Sequence, residues 1–393
     1  MTSRIYYTDP ACRAFDAVVT AATSHEGQPA VVLDRTAFYP TSGGQPFDVG
    51  ALGPVRVVDV IDSDDAVLHV LDAPLSAGAT VHGSIDWDRR FDHMQQHTGQ
   101  HILSAAFDRL AANRTVSFHM GAELSSIDLA REASWSEIDA AVEAANRVIW
   151  EDRPVSIRFA SDAEAETLPL RKPPTRGGTL RLIEVAGYDL SACGGTHVSR
   201  TGAIGSIVVT AAEKFKGGSR ISFACGGRAL RVFRTYREAI AGSVRVLSVL
   251  PAELPASVEK LQAEAKDLRK TQSRLQEQLA GHEAERLLVA TPERDGRRVV
   301  MEVIAGFEAQ ALKTMASAIA ARGRAIAALV SASSPALVVI ARSPDQTVDA
   351  NAVLRQLIAQ FGGKGGGKPD LAQGGGLVGE PSAILATIRG MLD

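Results

Sequence analysis

Histidines and a cysteine stand at two places in the chain with spacings that suit a metal ion. His93, His97 and His101 follow one another at intervals of four. Residues four apart lie on one face of a helix, so either adjacent pair could hold one ion. Further along, Cys193 and His197 are separated by Gly194, Gly195 and Thr196, and glycine lets the backbone turn tightly enough for both side chains to meet. Imidazole and thiolate are ligands that zinc accepts readily, so the two segments together predict one zinc site.

The spacing excludes one class of zinc hydrolase. Zincin metalloproteases carry a glutamate directly after the first histidine as their general base. In this chain Thr98, Gly99 and Gln100 separate His97 from His101, and the sequence identifies no general base. Four protein ligands are typical of a structural zinc site, whereas three ligands with an open position are typical of a catalytic one. Both kinds of site stay open at this point.

The elements that must position these side chains follow from hydrophobic periodicity. Short apolar runs separated by Gly, Pro and Asp turns predict β structure over residues 1–89. Helical spacing predicts a helix over 90–110 and a second over 134–150, with Ser134 as its N-cap and Glu137 in the capping-box position. Further strands are predicted around 155–159, 179–185 and 203–211, and a helix near 228–246. This mixture favours an α+β layer of helices on a mostly antiparallel sheet.

The C-terminal part of the chain predicts a long helix followed by an α/β domain. Leu261, Leu268 and Leu275 repeat at seven residues, a pattern that fits a helical hairpin, an arm or a dimer seam. Beyond it we predict strands at 298–304 and 336–340, helices at 308–322 and 348–361, then a glycine-rich loop and a last helix. We therefore expect four domains, which cover residues 1–89, 90–249, 250–295 and 296–393.

Composition narrows the class of protein. Hydrophobic residues make up 45% and charged residues 22%, with a formal net charge of −3. Any contact with nucleic acid must therefore come from local basic clusters. Three cysteines at irregular spacing argue against a disulfide framework. The N-terminus lacks the apolar core of a signal peptide, and no apolar run is long enough to cross a membrane. These features predict a cytoplasmic protein without a membrane partner.

The two metal motifs resemble those of the editing domain of alanyl-tRNA synthetases and of its free-standing relatives, the AlaX family. The residues 97–101 and 193–197 carry this resemblance, and supporting segments lie at 41–50, 115–119, 127–129 and 219–221. The glycine-rich stretch 362–376 resembles the signature of the DHHA1 domain that ends alanyl-tRNA synthetases. The order and extent of these matches resemble the long form of AlaX. That family implies a small N-terminal β-barrel, a two-layer α+β editing domain, a helical arm and a DHHA1-like α/β domain.

The resemblance implies a function and a set of site residues. It implies a hydrolase that deacylates mischarged tRNA(Ala), chiefly Ser-tRNA(Ala) with Gly-tRNA(Ala) as a second substrate, and that cannot aminoacylate because the chain starts at the β domain. It implies one Zn²⁺ per chain, held by His97, His101, Cys193 and His197, while His93 is only a neighbour. The implied pocket residues are Gln100, Thr98, Gly194, Gly195 and Thr196. Phe118 departs from the family, because synthetases often have a polar residue there.

Basic and glycine-rich segments supply the predicted contacts with tRNA, because lysine, arginine and bare backbone suit phosphate groups. The predicted tRNA-binding residues are Arg171, Lys172, Arg176, Lys214, Lys216, Arg220, Gly363, Lys364, Gly365 and Lys368. The segment 362–368 also fits a P-loop formally, but Pro369 stands where that loop needs Ser or Thr, which argues against nucleotide hydrolysis. We also expect a homodimer through the helical arm or the C-terminal domain.

Three alternative functions are compatible with the metal motifs. A zinc hydrolase of small esters or amides would leave the basic segments without a role. A non-enzymatic RNA-binding module would use zinc structurally and would unfold without it. An editing enzyme for Ser-tRNA(Thr) would share both motifs, but the DHHA1-like segment disfavours it.

Overall fold

The computed structural model describes residues 2–63, 66–171 and 178–392. The chain divides into two compact units, Met1–Gly242 and Ser243–Asp393. The four predicted domains are a finer division and stay a prediction.

The first unit begins with a β sheet that closes on itself. Its strands in chain order, with a 3₁₀ turn at Ile5–Tyr7, are β1 (Ser3–Arg4), β2 (Ala14–His25), β3 (Gln28–Leu33), β4 (Arg35–Thr36), β5 (Gly50–Leu52), β6 (Val55–Ser63), β7 (Ala66–Leu71) and β8 (Thr80–Ile85). Six of them pair in the order β2–β3–β7–β6–β5–β8, and β8 pairs back onto β2. Alternating inward side chains such as Phe15, Val57 and Val81 fill the interior. The remaining two strands, β1 and β4, form a short parallel pair.

The helix α1 (Trp87–Ala111) follows the closed sheet directly. The side chain of Asp86 caps its first turn by accepting a hydrogen bond from the backbone N–H of Arg89. Every residue from His93 to Phe107 is buried. A helix that is covered on all sides can carry polar residues around its whole circumference only if each finds a partner. The buried polar residues of α1 are therefore expected to form hydrogen bonds with neighbouring elements.

The rest of the first unit is an α+β layer. Its elements are β9 (Thr115–Met120), β10 (Ser125–Leu129), α2 (Trp135–Trp150), β11 (Val155–Ala160), α3 (Asp162–Thr167), β12 (Leu180–Val185), β13 (Asp189–Ala192), a 3₁₀ turn at Thr201–Ile204, β14 (Ile207–Phe215), β15 (Gly218–Cys225) and α4 (Gly226–Leu247), which runs into the second unit. The antiparallel sheet β14–β15–β10–β9 packs against α1 and α2 through Leu103, Ile138 and Phe223. A second antiparallel sheet, β11–β12–β13, leads to the cysteine motif.

Most predicted elements of this unit are confirmed, and one boundary is wrong. Ser134 and Glu137 form the predicted capping box of α2. The strand predicted at 203–211 begins only at Ile207, because Thr201–Ile204 forms a 3₁₀ turn that ends on Gly205 with a φ of 84°. A positive φ suits glycine and separates the turn from the strand.

The second unit is a five-stranded sheet with helices on both faces. Its elements are α5 (Leu254–Ala290) after a 3₁₀ turn at Pro251–Glu253, then β16 (Arg298–Ile304), α6 (Ala309–Ala320), β17 (Ala325–Ser331), β18 (Ala336–Arg342), α7 (Ala350–Phe361), β19 (Lys364–Gly367), β20 (Leu371–Leu377) and α8 (Pro381–Leu392). The strand order is β16–β17–β18–β20–β19, with β16 and β17 parallel. Ala327 and Leu329 pack toward α5 and α6, whereas Ile326 and Val330 pack toward α7 and α8.

The predicted glycine-rich loop is wrong. Lys364–Gly367 pairs in antiparallel register with Leu371–Leu377 and forms the edge of the sheet. The absence of side chains allows a close approach, since a Cβ at Gly365 would lie 2.5 Å from the Cα of Gly374. The strand β17 was missed because all of its residues are buried, and a strand covered on both faces shows no alternation.

The predicted arm is a single continuous helix. Leu261, Leu268 and Leu275 of α5 are exposed, whereas Ala284 and Leu287 near its end pack against α6. The homodimer through this arm stays a prediction. Within the described residues, no single helix is long and apolar enough to cross a membrane; only the pair Gly226–Leu247 and Pro251–Ala290 passes that test together.

Candidate metal centre

Two segments of the first unit bring four potential metal ligands to one point. His97 and His101 project from the same face of α1, and Cys193 and His197 lie in the loop after β13. Their ligand atoms all lie within 4.8 Å of one another. Gly195 makes this convergence possible, because a Cβ at this position would collide with the ring of His97. The structure therefore brings together all four residues predicted as zinc ligands.

Two distances from the thiol of Cys193 are close to those between neighbouring ligands of a tetrahedral zinc ion. The Sγ of Cys193 lies 3.4 Å from Nε2 of His97 and 3.3 Å from Nε2 of His197. Zinc bonds of about 2.3 Å to sulfur and about 2.0 Å to nitrogen place two ligands of a tetrahedron roughly 3.6 Å apart. The donor set and its spacing thus suit zinc, which the family resemblance implies.

Each histidine of the cluster uses its other ring nitrogen for a hydrogen bond. The three Nδ1 contacts are His97 to Oε1 of Gln45 at 2.8 Å, His101 to Oδ2 of Asp189 at 3.0 Å and His197 to Oγ1 of Thr98 at 3.2 Å. Metal-binding histidines typically donate in this way, which fixes the tautomer and the ring orientation. In each case the Nε2 atom is left as the ligand.

The partners of the histidines are themselves held in place. Asp189 accepts a hydrogen bond of 2.6 Å from Nε of Arg171. The amide of Gln45 donates to Oγ1 of Thr196 at 2.8 Å, and its carbonyl oxygen accepts from the backbone N–H of Thr196 at 3.1 Å. The donation from Thr196 identifies this atom as the carbonyl oxygen, which can only accept, so Nδ1 of His97 is the donor in its contact with Gln45. Sequence reasoning missed these roles of Gln45, Asp189 and Arg171.

The electrostatics of the cluster favour a thiolate. Burial raises the pKa of Cys193, but the neighbouring His97 and His197 and the hydrogen bond from His101 bring it well below its ordinary value. Burial lowers the pKa of His101, but hydrogen bonds with Asp189 and Cys193 outweigh it and raise the pKa to about 9. Burial lowers the pKa of His197 to about 3. A metal binds thiolate and neutral imidazole, so an ion bound to His101 would displace the proton that this ring carries at neutral pH.

A cavity of about 380 Å³ opens beside the cluster. Three of the predicted pocket residues line it, namely Gln100, Gly194 and Gly195. Thr98 and Thr196 do not line it and are fully buried behind the ligands, where Thr98 holds His197 and Thr196 holds Gln45. A residue next to a ligand on a helix points about 100° away from it, so Thr98 cannot share the face of His97.

The walls of this cavity are partly polar and partly apolar. The Nε2 of Gln100 donates to Oγ of Ser104 at 2.8 Å, and Ser104 also accepts from Thr115 at 2.7 Å. The amide of Gln100 is thereby oriented, with its carbonyl oxygen left as an acceptor. Phe118 supplies an apolar wall, with its ring centroid 5.4 Å from that of His97.

His93 lies outside the cluster, and its predicted lack of a role in metal binding stays a prediction. It is buried on α1, and its Nδ1 has no hydrogen-bond partner among the described residues.

The predicted tRNA-binding residues lie in different settings. Lys172 and Arg176 lie outside the described residues, and Arg171 lines the cavity while it binds Asp189. Lys214 pairs with Glu132 at 3.0 Å, and Arg220 pairs with Asp128 at 2.7 Å. The turn residue Lys216, with a φ of 48°, and the hairpin residues Gly363, Lys364, Gly365 and Lys368 are exposed. Contact with tRNA stays a prediction for all of them.

Three family models match the chain. The model described as "Threonyl and Alanyl tRNA synthetase second additional domain" matches residues 180–222, which include the cysteine motif. The model "tRNA synthetases class II (A)" matches residues 10–89, and the model "DHHA1 domain" matches residues 296–392.

Curated relatives align over nearly the whole chain. The alanine–tRNA ligase of Pyrococcus abyssi is 31% identical and that of Archaeoglobus fulgidus 35% identical, each over 95% of this chain and 42% of the relative. The chain thus spans less than half the length of these relatives. A solved structure, the C-Ala domain of Aquifex aeolicus alanyl-tRNA synthetase, matches 26% of this chain and 96% of its own, with 23% identity and a TM-score of 0.24. That score is too low to support an argument from shape.

Proposed function

We propose that this chain deacylates mischarged tRNA(Ala) in the cytoplasm without aminoacylating it. The premise is that the chain is an AlaX-like relative of the alanyl-tRNA synthetases with a DHHA1 domain over residues 296–392. Ser-tRNA(Ala) is the chief substrate and Gly-tRNA(Ala) a second one. The observation that carries the proposal is the cluster of His97, His101, Cys193 and His197 beside a cavity of about 380 Å³. Such a cavity has room for a small aminoacyl ester, and the relatives connect the chain to alanine and tRNA.

The four clustered side chains would hold one zinc ion, which when bound can polarise a carbonyl oxygen or acidify a water molecule. The residues around it would position the substrate. Arg171 and Asp189 keep the ring of His101 in place, and Gln45 does the same for His97. These contacts fix the site before substrate arrives, so little reorganisation is needed in the reaction.

Gln100 would distinguish serine from alanine. Its oriented carbonyl oxygen can accept a hydrogen bond from the hydroxyl of serine. Alanine lacks that hydroxyl and would leave the oxygen without a partner, which weakens its binding relative to serine. Phe118 would cover the apolar side of the small substrate.

A deacylation assay with four substrates tests the proposal. Zinc-loaded protein is incubated with Ser-tRNA(Ala), Gly-tRNA(Ala), Ala-tRNA(Ala) and Ser-tRNA(Thr), and the release of amino acid is measured. We expect release from the first two and little from the others. Failure to release serine from Ser-tRNA(Ala) would refute the proposal. Preferential cleavage of Ser-tRNA(Thr) would show that the protein edits mischarged tRNA(Thr) instead.

A second candidate follows from the number of ligands. Four protein side chains converge, which is typical of a structural zinc site. In that case the protein is an RNA-binding module, and chelation would unfold the first unit. If the site is catalytic, chelation should abolish deacylation while circular dichroism shows a folded protein.

A further inference from the structure

A second cavity lies beside α1 and belongs to no site described so far. Its volume is about 370 Å³. The residues that line it come from the start of α1, the turn between β9 and β10, the start of α4 and the loop before β5: Pro46, Asp88, Arg89, Asp92, His93, Gly121, Ala122, Arg228 and Arg231.

Three arginines and two aspartates line this cavity, so its formal charge is positive by one, with the exposed Asp88 as the second carboxylate. Asp92 forms an ion pair with Arg228, and the Nε and Nη2 of this arginine donate to the carboxylate of Asp92 at 2.9 and 2.6 Å. The same guanidinium also donates to the carbonyl oxygen of Gly121 at 2.6 Å, so Arg228 is buried and rigid. Arg231 is 65% exposed and reaches Asp92 only at 3.8 Å. Arg89 forms no ion pair with a carboxylate in the described part of the chain, and its Nε donates to a backbone carbonyl.

His93 adds a polar group that lacks a partner. Its side chain lines the cavity and is only 3% exposed, and its Nδ1 is buried without a hydrogen bond to any described residue. Burial, with the nearby Arg89 and Arg228, lowers the pKa of His93 to about 3, so the ring is neutral and can donate one N–H. Buried polar atoms in folded proteins nearly always have a partner. Because this nitrogen lies below the surface of the cavity, an acceptor oxygen of a ligand reaches it only when the ring of His93 turns toward the cavity.

We propose that this cavity binds a phosphate group of an RNA backbone. Arginine forks match phosphate oxygens in geometry as well as in charge. Arg89 and Arg231 would hold the anion, Arg228 would form the fixed floor, and the neutral ring of His93 would donate to one oxygen. The inference rests on the proposed function for the identity of the RNA, which is then the tRNA that carries the ester.

The position of the cavity relative to the metal centre supports this ligand. Pro46, in its wall, directly follows Gln45, which binds His97. His93 precedes His97 by about one helical turn, or roughly 6 Å along α1. The cavity therefore lies near the metal centre, where nucleotides adjoining the reacting end of a tRNA would pass.

The helix α4 continues the basic surface beyond the cavity. Arg234 follows Arg231 by three residues, on the same side of the helix, and is exposed. A row of exposed arginines suits a ligand that carries one charge on every unit of a chain better than it suits a single anion. The proposed function identifies that chain as RNA.

Binding of unacylated tRNA(Ala), measured by fluorescence anisotropy at several salt concentrations, tests the proposal without reference to deacylation. Arg231→Ala should weaken binding about three- to tenfold and lower the slope against log salt by about one. The double variant Arg89→Ala with Arg231→Ala should lower the slope by about two. Arg147→Ala, which removes a 68% exposed arginine from α2, is the matched control and should leave the affinity and the slope unchanged.

A second measurement tests phosphate binding in the cavity without any tRNA. In the full-length protein, titration with inorganic phosphate should shift the imidazole ¹⁵N signals of His93 in a saturable way, and Arg231→Ala should weaken that response.

Unchanged tRNA affinity in both arginine variants would overturn the proposal, as would equal losses in Arg147→Ala. Lost affinity for polyglutamate with unchanged tRNA binding would assign the cavity to acidic peptides instead. If serine release fails but these shifts appear, only the proposed function is refuted.

Discussion

His97 and Cys193 each supply one of four ligand atoms that converge on one point. Removing either leaves three protein ligands and weakens the binding of a metal that needs all four. We expect zinc content to fall from about one ion per chain to a small fraction in His97→Ala and in Cys193→Ala. Metal analysis of the purified variants measures this, with His93→Ala as the control that keeps its zinc. Full zinc in both ligand variants would contradict the assignment.

Asp189 affects the metal without touching it. It accepts the Nδ1–H of His101 at 3.0 Å and is held by Arg171. Loss of such an outer partner typically weakens metal affinity 10- to 100-fold, and we expect that range for Asp189→Asn in competition with a chromophoric chelator. Asp128→Asn removes another arginine-paired aspartate and should retain wild-type affinity. Equal affinities in the two variants would show that Asp189 has no such role.

The ligands could be predicted from the sequence, but their partners could not. Spacing along a helix and a short glycine-containing loop are local, so the two segments are visible in the chain, and the family resemblance then selects His101 over His93 as the partner of His97. Gln45 lies 52 positions from His97, and Asp189 lies 88 positions from His101. No periodicity connects such pairs, and only the folded sheet brings them into contact. The prediction that Thr98 lines the pocket came from the family resemblance, and the rotation of about 100° between neighbouring helix residues turns its side chain into the core instead.

At the scale of single elements, the N-terminus of α2 offers a direct test. The side chain of Ser134 accepts from the backbone N–H of Glu137, and Glu137 returns the contact. Ser134→Ala should lower the free energy of unfolding by about 1 kcal/mol at pH 7, measured by urea denaturation. Hydrogen bonds from Arg131 and from Ser134 lower the pKa of Glu137 to about 2.

The pKa of Glu137 gives this test a pH dependence. Because its folded pKa lies below its unfolded value, the carboxylate stabilises the protein at neutral pH, and this contribution declines as the pH falls through about 4 toward 2. Glu137→Gln should therefore destabilise the protein at pH 7 and have a smaller effect near pH 3. An effect that grew as the pH fell would contradict the capping role.

Elements with a clear period were predictable, and elements without one were not. The strand at 298–304 is found as predicted, and the amphipathic helix α7 lies within two residues of its predicted start. The hairpin of β19 and β20 was missed because glycines have no side chains to alternate. Its pairing depends on a close approach of two backbones. By composition alone, such a glycine-rich segment resembles a flexible loop.

At the scale of the whole chain, the two compact units predict separable functions. The four residues of the candidate metal cluster all lie in Met1–Gly242. Truncation after Leu250 should therefore keep the zinc content and weaken the affinity for tRNA, with the loss in deacylation greatest at low substrate concentration. Zinc analysis and the concentration dependence of deacylation measure both effects. An unchanged concentration dependence would make dimerisation the leading role of the second unit.

The exposed hairpin of the second unit is the expected source of that affinity. Lys364 and Lys368 lie on its solvent side. The double variant Lys364→Ala with Lys368→Ala should lower the slope of log affinity against log salt by about two if both charges displace counterions. Lys260→Ala with Lys266→Ala on α5 serves as the control with the same change in charge. Equal slopes in the two double variants would exclude a specific role for the hairpin.

The hydrogen bond between Gln45 and His97 joins the loop between β4 and β5 to the helix that carries two of the four candidate ligands. Such a contact makes ion binding and the ordering of the loop thermodynamically linked, and linkage is reciprocal. If the ion tightens the loop, then whatever tightens the loop raises affinity for the ion by the same factor. Amide hydrogen exchange at residues 42–45 should therefore slow when zinc binds. Occupancy of the zinc site could then be measured from the exchange rate of the loop amides, without a signal from the metal ligands themselves.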